Sequence, residues 1–199
     1  MVEWITAVIT SGGYIGIALL MFAENLFPPI PSELIMPFAG FVAARGELHP
    51  VGVVAAGVTG SLLGAIPWYL AGRWLGGERL KRLADRHGRW LTASRHDLQR
   101  AENWFNRYGW LAVLLGRLVP AVRTLVSVPA GVTRMPLAAF IACSAIGTLL
   151  WTCFLTGAGY LLESRYDQVA DWIDPIAKAI VGIIVVSYVY RFIRWPKAP

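Results

Sequence analysis

Three long runs of residues without a charged side chain constrain this chain more than any other feature. They cover positions 4–23, 51–72 and 135–162, which are 20, 22 and 28 residues long. A helix rises about 1.5 Å per residue, so about 20 apolar residues cross a hydrocarbon core of about 30 Å. A water-soluble fold of 199 residues cannot bury that many such runs, and only 15% of the residues are charged. The chain is therefore predicted to be a helical membrane protein that crosses the bilayer several times.

The distribution of basic residues predicts how the chain is oriented. The stretch 73–107 holds nine Lys or Arg against four acids, so the positive-inside rule places it in the cytoplasm. Apolar residues recur among the basic ones, which is typical of an amphipathic linker on the membrane surface, with two helices that we expect to break near Gly88. The net charge of +6 therefore indicates anionic lipid head groups, and we expect no nucleic-acid partner.

The end of the chain is predicted to add one more crossing. Residues 163–174 carry four acids and one arginine, which places this loop outside the cell. A C-terminal transmembrane helix over 175–192 then returns the chain to the inside, so that the C terminus is cytoplasmic.

Other apolar segments are too short to cross a membrane. Residues 34–44, 108–116 and 124–133 are charge-free runs of eleven, nine and ten residues, beside proline-containing breaks that also carry charges. Irregular backbone persists at membrane depth only where it lines a cavity or is buried in protein. This pattern predicts two re-entrant helical hairpins, at 14–44 and 108–133.

The two hairpins belong to a predicted internal repeat, 14–72 and 108–162. In each unit a full-length span follows the hairpin and contains the pattern Gly-x-x-x-Trp, at Gly64–Trp68 and at Gly147–Trp151. One crossing separates the hairpins, so the second would enter from the opposite face, as in many transporters. The predicted fold class is an all-α polytopic membrane protein with two inverted repeats, an amphipathic linker at 73–107 and a C-terminal transmembrane helix.

Four ionisable side chains fall in the two breaks. Glu24 and Glu33 flank the first break, and Arg117 and Arg123 flank the second. Each charge at the centre of a bilayer costs about 2.5–3.5 kcal/mol on insertion scales. The four could neutralise one another as a lock between the hairpins, or they could line a polar cavity for a substrate. We favour the cavity, because apolar packing would usually hold the hairpins together as well.

The residue types point to an anion. Arginine binds phosphate through two parallel hydrogen bonds and keeps its charge when desolvated, and helix N-termini offer free N–H groups. A carboxylate in the same cavity would compete with the anion until a proton neutralised it. The predicted phosphate-binding residues are Arg117, Arg123, Ser32 and Thr124, and the predicted proton-coupling residues are Glu24 and Glu33.

These two breaks resemble the signature motifs of the DedA family. The first is Glu24-Asn25 followed by Pro-Pro-Ile-Pro-Ser-Glu at 28–33, and the second is Gly-Arg-Leu-Val-Pro-Ala-Val-Arg-Thr at 116–124. The resemblance implies a protein of the bacterial cytoplasmic (inner) membrane that moves undecaprenyl phosphate or a phospholipid, dependent on protons. It also implies that the acids and arginines of the breaks are essential. Many members have Gly-Asp where this chain has Ser32-Glu33.

Other functions remain open at this level. The alternatives are a flippase or scramblase for a phospholipid such as phosphatidylethanolamine, a proton-coupled antiporter of small ions, a membrane phosphatase and an assembly factor. We expect no enzyme, because the three histidines lie away from the breaks, and we expect no metal and no cofactor. Small residues in the spans would allow close helix packing within one subunit or in a homodimer. They are Gly57, Gly60, Gly64, Gly157 and Gly159.

Overall fold

The structure, a computed structural model, describes residues 2–26, 32–91, 95–119 and 122–162. Within these ranges the chain forms α-helices joined by turns and contains no strand. The helices are α1 (Val2–Leu26), α2 (Ser32–Ala44), α3 (Pro50–Leu91), α4 (Arg95–Tyr108), α5 (Trp110–Arg117), α6 (Ser127–Val132) and α7 (Leu137–Leu161). The predicted C-terminal transmembrane helix at 175–192 lies outside the described residues, as does the acidic loop.

Among the described residues, three helices are long and apolar enough to cross a membrane: Trp4–Leu26, Pro50–Arg79 and Leu137–Leu161. The prediction of a polytopic helical membrane protein is thereby confirmed. The last two correspond to the predicted crossings that complete the repeats, and the first is longer than the hairpin arm expected from residue 14 onwards. Helix α1 already begins at Val2, and only the left-handed backbone of Gly13 (φ 52°, ψ −133°) interrupts it. Glycine adopts such a conformation without strain because it has no Cβ.

The linker region departs from the expected break. Helix α3 continues past Gly88 to Leu91, and α4 begins at Arg95. The interruption within α3 lies earlier, at Gly76, whose backbone (φ 65°, ψ 164°) is again one that glycine favours. The Gly-Gly pair at 76–77 was therefore the better signal for the end of the membrane-crossing part of α3.

The helices of the two halves of the chain exchange packing partners. Helix α1 packs on α3, and α5 packs on α7, so the first helix of each predicted hairpin contacts the long helix of its own half of the chain. The second arms do the reverse, because α2 packs on α7 and α6 packs on α3. Each half of the chain therefore buries its apolar residues partly against the other half. One apolar cluster centres on Met21, Ile35 and Met36, and the other on Tyr69 and Phe140.

Glycines let these helices approach at backbone distance. A Cβ on Gly64 would lie 2.6 Å from Cβ of Asn25, and a Cβ on Gly147 would lie 2.7 Å from Cβ of Arg117. Gly64 and Gly147 are the glycines of the two Gly-x-x-x-Trp patterns, so the patterns bring α3 against the end of α1 and α7 against the end of α5. Small residues at such crossings are typical of membrane helices.

The remaining small residues singled out from the sequence divide into two classes. A Cβ on Gly60 would collide with the backbone of α1, and one on Gly159 would collide with the carbonyl of Pro37. A Cβ on Gly57 would press on the end of the Met36 side chain, at 2.8 Å, and touch Thr152 at 3.5 Å, whereas one on Gly157 has nothing within 4 Å. Close packing within one subunit thus accounts for most of these residues, and the homodimer remains a prediction.

This difference gives a matched pair of substitutions on α7. We expect Gly159→Ala to destabilise the protein by about 1–3 kcal/mol, because the new methyl group must push α2 away from α7. Gly157→Ala should be neutral or slightly stabilising, since its methyl group meets no atom and alanine favours helix. Thermal unfolding of the purified variants in detergent checks both, and equal unfolding temperatures would contradict the packing.

Candidate functional site

The structure brings the ionisable residues of both breaks together. Glu24 lies at the end of α1, Arg117 at the end of α5, and Arg123 in the turns that lead into α6. Their exposed fractions are only 3%, 2% and 7%. Glu33, in the first turn of α2, is half-buried. All four charges lie close enough to interact electrostatically with at least one other member of the group.

An ion pair joins the two halves of the chain at this point. Nη2 of Arg123 donates a hydrogen bond to Oε1 of Glu24, across 99 residues of sequence. Both side chains are buried, and a buried charge is stable only when an opposite charge or hydrogen bonds compensate it. The pair therefore fixes the position of α1 relative to the segment before α6.

Arg117 is held differently, by neutral groups. Its Nη1 donates to Oδ1 of Asn25 at 3.4 Å, and its Nη2 donates to Oγ of Ser127 at 3.1 Å. Its guanidinium carbon lies 5.8 Å from the centre of the Phe140 ring. Within the described part of the chain, Nε of Arg117 has no hydrogen-bond partner. An unsatisfied buried donor of this kind costs about 1–3 kcal/mol, and more beside a charge.

Two further predicted ligands lie in the same region. Ser32 is fully buried at the start of α2, where its Oγ accepts a hydrogen bond from Nε1 of Trp151 at 3.4 Å. Thr124 is buried beside Arg123. The predicted residues therefore share one neighbourhood, but Ser32 is already engaged by an indole.

Sequence reasoning missed the roles of the two tryptophans of the repeated pattern. Nε1 of Trp68 donates to the backbone carbonyl of Asn25 at 2.9 Å, which satisfies an acceptor at the end of α1. Trp151 binds Ser32 on the other side of the same break. Both indoles thus bind residues that flank the first break, one from α3 and the other from α7. For Trp68 the Gly-x-x-x-Trp spacing was an available signal, because Gly64 lies against Asn25, whereas the Gly147 that precedes Trp151 lies against Arg117 on α5.

The charges of the site favour an anion. Two buried guanidinium groups face one buried carboxylate, and the second carboxylate, on Glu33, is half-exposed. The fully buried part of the site therefore carries more positive than negative charge in surroundings that screen charges poorly. Among the described residues, no group of three or more His, Cys, Asp or Glu is placed to hold a metal ion.

Comparison with known proteins gives one family match. The model of the VTT domain matches residues 30–161, which include Glu33, both arginines and all but the last residue of the second repeat predicted from the sequence. No solved structure matches the chain.

Several curated proteins are similar over almost their whole length. An "undecaprenyl phosphate transporter A" of Staphylococcus aureus is 33% identical over 98% of this chain and 96% of its own. The Bacillus subtilis protein of the same name is 31% identical over 92% of this chain and 90% of its own. An "alkaline phosphatase-like protein" of Lactococcus lactis subsp. cremoris is 37% identical over 99% and 92%.

The buried ion pair can be tested by a double-mutant cycle. We expect Arg123→Gln to cost about 3–5 kcal/mol of stability, because it leaves the carboxylate of Glu24 buried without a partner. The double variant with Glu24→Gln should unfold at a higher temperature than Arg123→Gln alone, since no unpaired charge remains. Arg107→Gln, on the exposed surface of α4, is the control. Additive losses in the double variant would show that the two side chains do not interact.

Proposed function

Because the chain belongs to the VTT domain family, also known as the DedA family, we propose that it transports a lipid with a phosphate head group across the bacterial cytoplasmic membrane. Undecaprenyl phosphate is the first candidate, since two relatives carry that substrate in their names. The observation that carries the proposal is the pair of buried arginines, Arg117 and Arg123, at the point where the ends of α1 and α5 meet the start of α6.

The ion pair suggests how binding and release alternate. In the structure, the carboxylate of Glu24 is paired with the guanidinium of Arg123, while Arg117 donates hydrogen bonds to the neutral side chains of Asn25 and Ser127. A phosphate that enters would meet Arg117 first and would then compete with Glu24 for Arg123. A proton on Glu24 removes that competition, so proton uptake and phosphate binding favour each other. Glu33 would be the second acid able to take up a proton.

The exchange of packing partners between the two halves supports the inverted repeat as the framework of transport. Each first arm packs on its own span and each second arm on the other span, and Gly64 and Gly147 face equivalent positions at Asn25 and Arg117. Two re-entrant hairpins from opposite faces would place the arginines near the middle of the bilayer. Movement of one repeat against the other would then open the site to each side in turn. A cytoplasmic C terminus and a dimer remain part of this proposal.

The geometry of Arg117 yields the first transport prediction. We expect Arg117→Lys to lower the initial rate of transport of labelled undecaprenyl phosphate in proteoliposomes by about tenfold or more, because lysine offers one point charge instead of a fork. Arg107→Lys, at an exposed position of α4, is the matched control and should transport normally. Normal transport by Arg117→Lys would contradict a bidentate phosphate site.

The proposed coupling is tested at Glu24. Glu24→Gln keeps a hydrogen-bond acceptor for Arg123 but cannot exchange a proton. We therefore expect the variant to transport at the same rate with and without an imposed pH gradient, whereas the wild type responds to the gradient. If the Glu24→Gln variant still responds to the gradient, Glu24 is not the coupling group. The same measurement on Glu33→Gln then tests whether Glu33 takes up the proton.

The name of the lactococcal relative favours one other function, the hydrolysis of a phosphate ester. The same proteoliposomes separate the two possibilities, because hydrolysis releases inorganic phosphate and transport leaves the lipid intact. Labelled phosphatidylethanolamine in place of undecaprenyl phosphate tests the phospholipid alternative, and transport of inorganic ions into proteoliposomes that contain no undecaprenyl phosphate tests the antiporter.

A further inference from the structure

Within the described ranges, two buried polar atoms near the arginine site lack a hydrogen-bond partner. One is Nε of Arg117, and the other is Oγ of Ser144 on α7. Ser144 is 0% exposed and Arg117 is 2% exposed. A buried hydroxyl or guanidinium N–H normally has a hydrogen-bond partner, so a buried one without a partner requires an explanation. Two of them on facing helices point to a ligand that both would bind.

The path of the Arg117 side chain indicates that these two atoms lie on the same stretch of α7. Its Cβ and Cγ lie beside Gly147, at 2.7 and 3.4 Å from the position of a Cβ there, and its guanidinium carbon lies 5.8 Å from the Phe140 ring centre. The side chain therefore extends along α7 from Gly147 towards Phe140. Ser144 lies between these two positions on the same face, since residues three and four apart are neighbours on a helix.

We propose that Ser144 is a further head-group-binding residue, and that its hydroxyl and the Nε–H of Arg117 donate to one oxygen of the lipid phosphate. This rests on the proposed function and adds a residue to that site. Nη1 and Nη2 of Arg117 each donate one hydrogen bond, to Asn25 and Ser127, so among the described residues Nε is the guanidinium nitrogen without a partner. A phosphate oxygen accepts several hydrogen bonds, and one that receives a charged and a neutral donor together is held in a fixed direction.

Helix α7 supplies a matched control for this proposal. Thr156 is also buried, and its Oγ1 is likewise without a partner in the described structure. It lies three turns beyond Ser144, about 18 Å along the helix, and lines an apolar groove of about 570 Å³ between α7 and the start of α3. No arginine lines that groove. The hydroxyl of Thr156 therefore has no guanidinium in its groove, whereas we place the hydroxyl of Ser144 next to the guanidinium of Arg117.

The experiment measures binding of radiolabelled farnesyl phosphate to the full-length protein in nanodiscs, with empty nanodiscs as the blank. We expect Ser144→Ala to weaken binding about tenfold, the usual effect of losing a hydrogen bond to a charged group. Ser144→Cys keeps the volume but offers only a weak S–H donor, so it should lose affinity as well. Thr156→Val should bind like the wild type. Unfolding temperatures of all variants identify any loss that arises from misfolding.

A second ligand separates the phosphate group from the chain attached to it. Inorganic phosphate should bind more weakly than farnesyl phosphate, and Ser144→Ala should weaken both by the same factor if the hydroxyl contacts the phosphate. A loss confined to farnesyl phosphate would overturn the proposal, because the serine would then act on the chain.

The outcomes distinguish this proposal from the function on which it rests. If the wild type binds, Arg117→Ala abolishes binding and Ser144→Ala binds like the wild type, then Ser144 is not a ligand while the phosphate site stands. If the wild type binds neither ligand, the phosphate site itself is wrong, and Ser144 loses its role with it.

Discussion

The buried ion pair between Glu24 and Arg123 is the interaction on which the rest of this structure depends. Charges in low-dielectric surroundings need partners, and here the partner of each residue comes from the other half of the chain. The pair thus ties the end of α1 to the segment before α6. It also places both arginines at one point, because Arg117 bonds to Asn25, the neighbour of Glu24.

The site is formed by residues at the ends of helices. The breaks leave backbone groups without helical partners, and membrane surroundings provide no water to satisfy them. The indole of Trp68 satisfies one carbonyl at the end of α1, and the indole of Trp151 binds Ser32 at the start of α2. A glycine in α3 makes the first of these approaches possible. A binding site needs side chains whose positions are fixed by their neighbours. These contacts fix the surroundings of Arg117, whose Nε has no hydrogen-bond partner among the described residues.

The charge balance bears on the proposed function. A transporter must release its ligand as well as bind it, and in our proposal the carboxylate of Glu24, which binds Arg123 in this structure, would compete with a phosphate for that guanidinium. The apolar groove along α7 lies away from these charges.

The sequence by itself determined the class of the protein, the positions of two spans and the identity of the charged residues in the breaks. These follow from local rules, because span length and charge cost depend only on neighbouring residues and on the thickness of the bilayer. The start of the first helix and the break at Gly76 were less accessible, since a single glycine can continue a helix or turn it. Only the tertiary structure decided that Arg123 binds Glu24, that Ser32 is engaged by Trp151, and that Arg117 lies against Gly147. Such contacts join residues up to 119 positions apart, and they are fixed by which helix faces which, a choice made by packing of the whole chain.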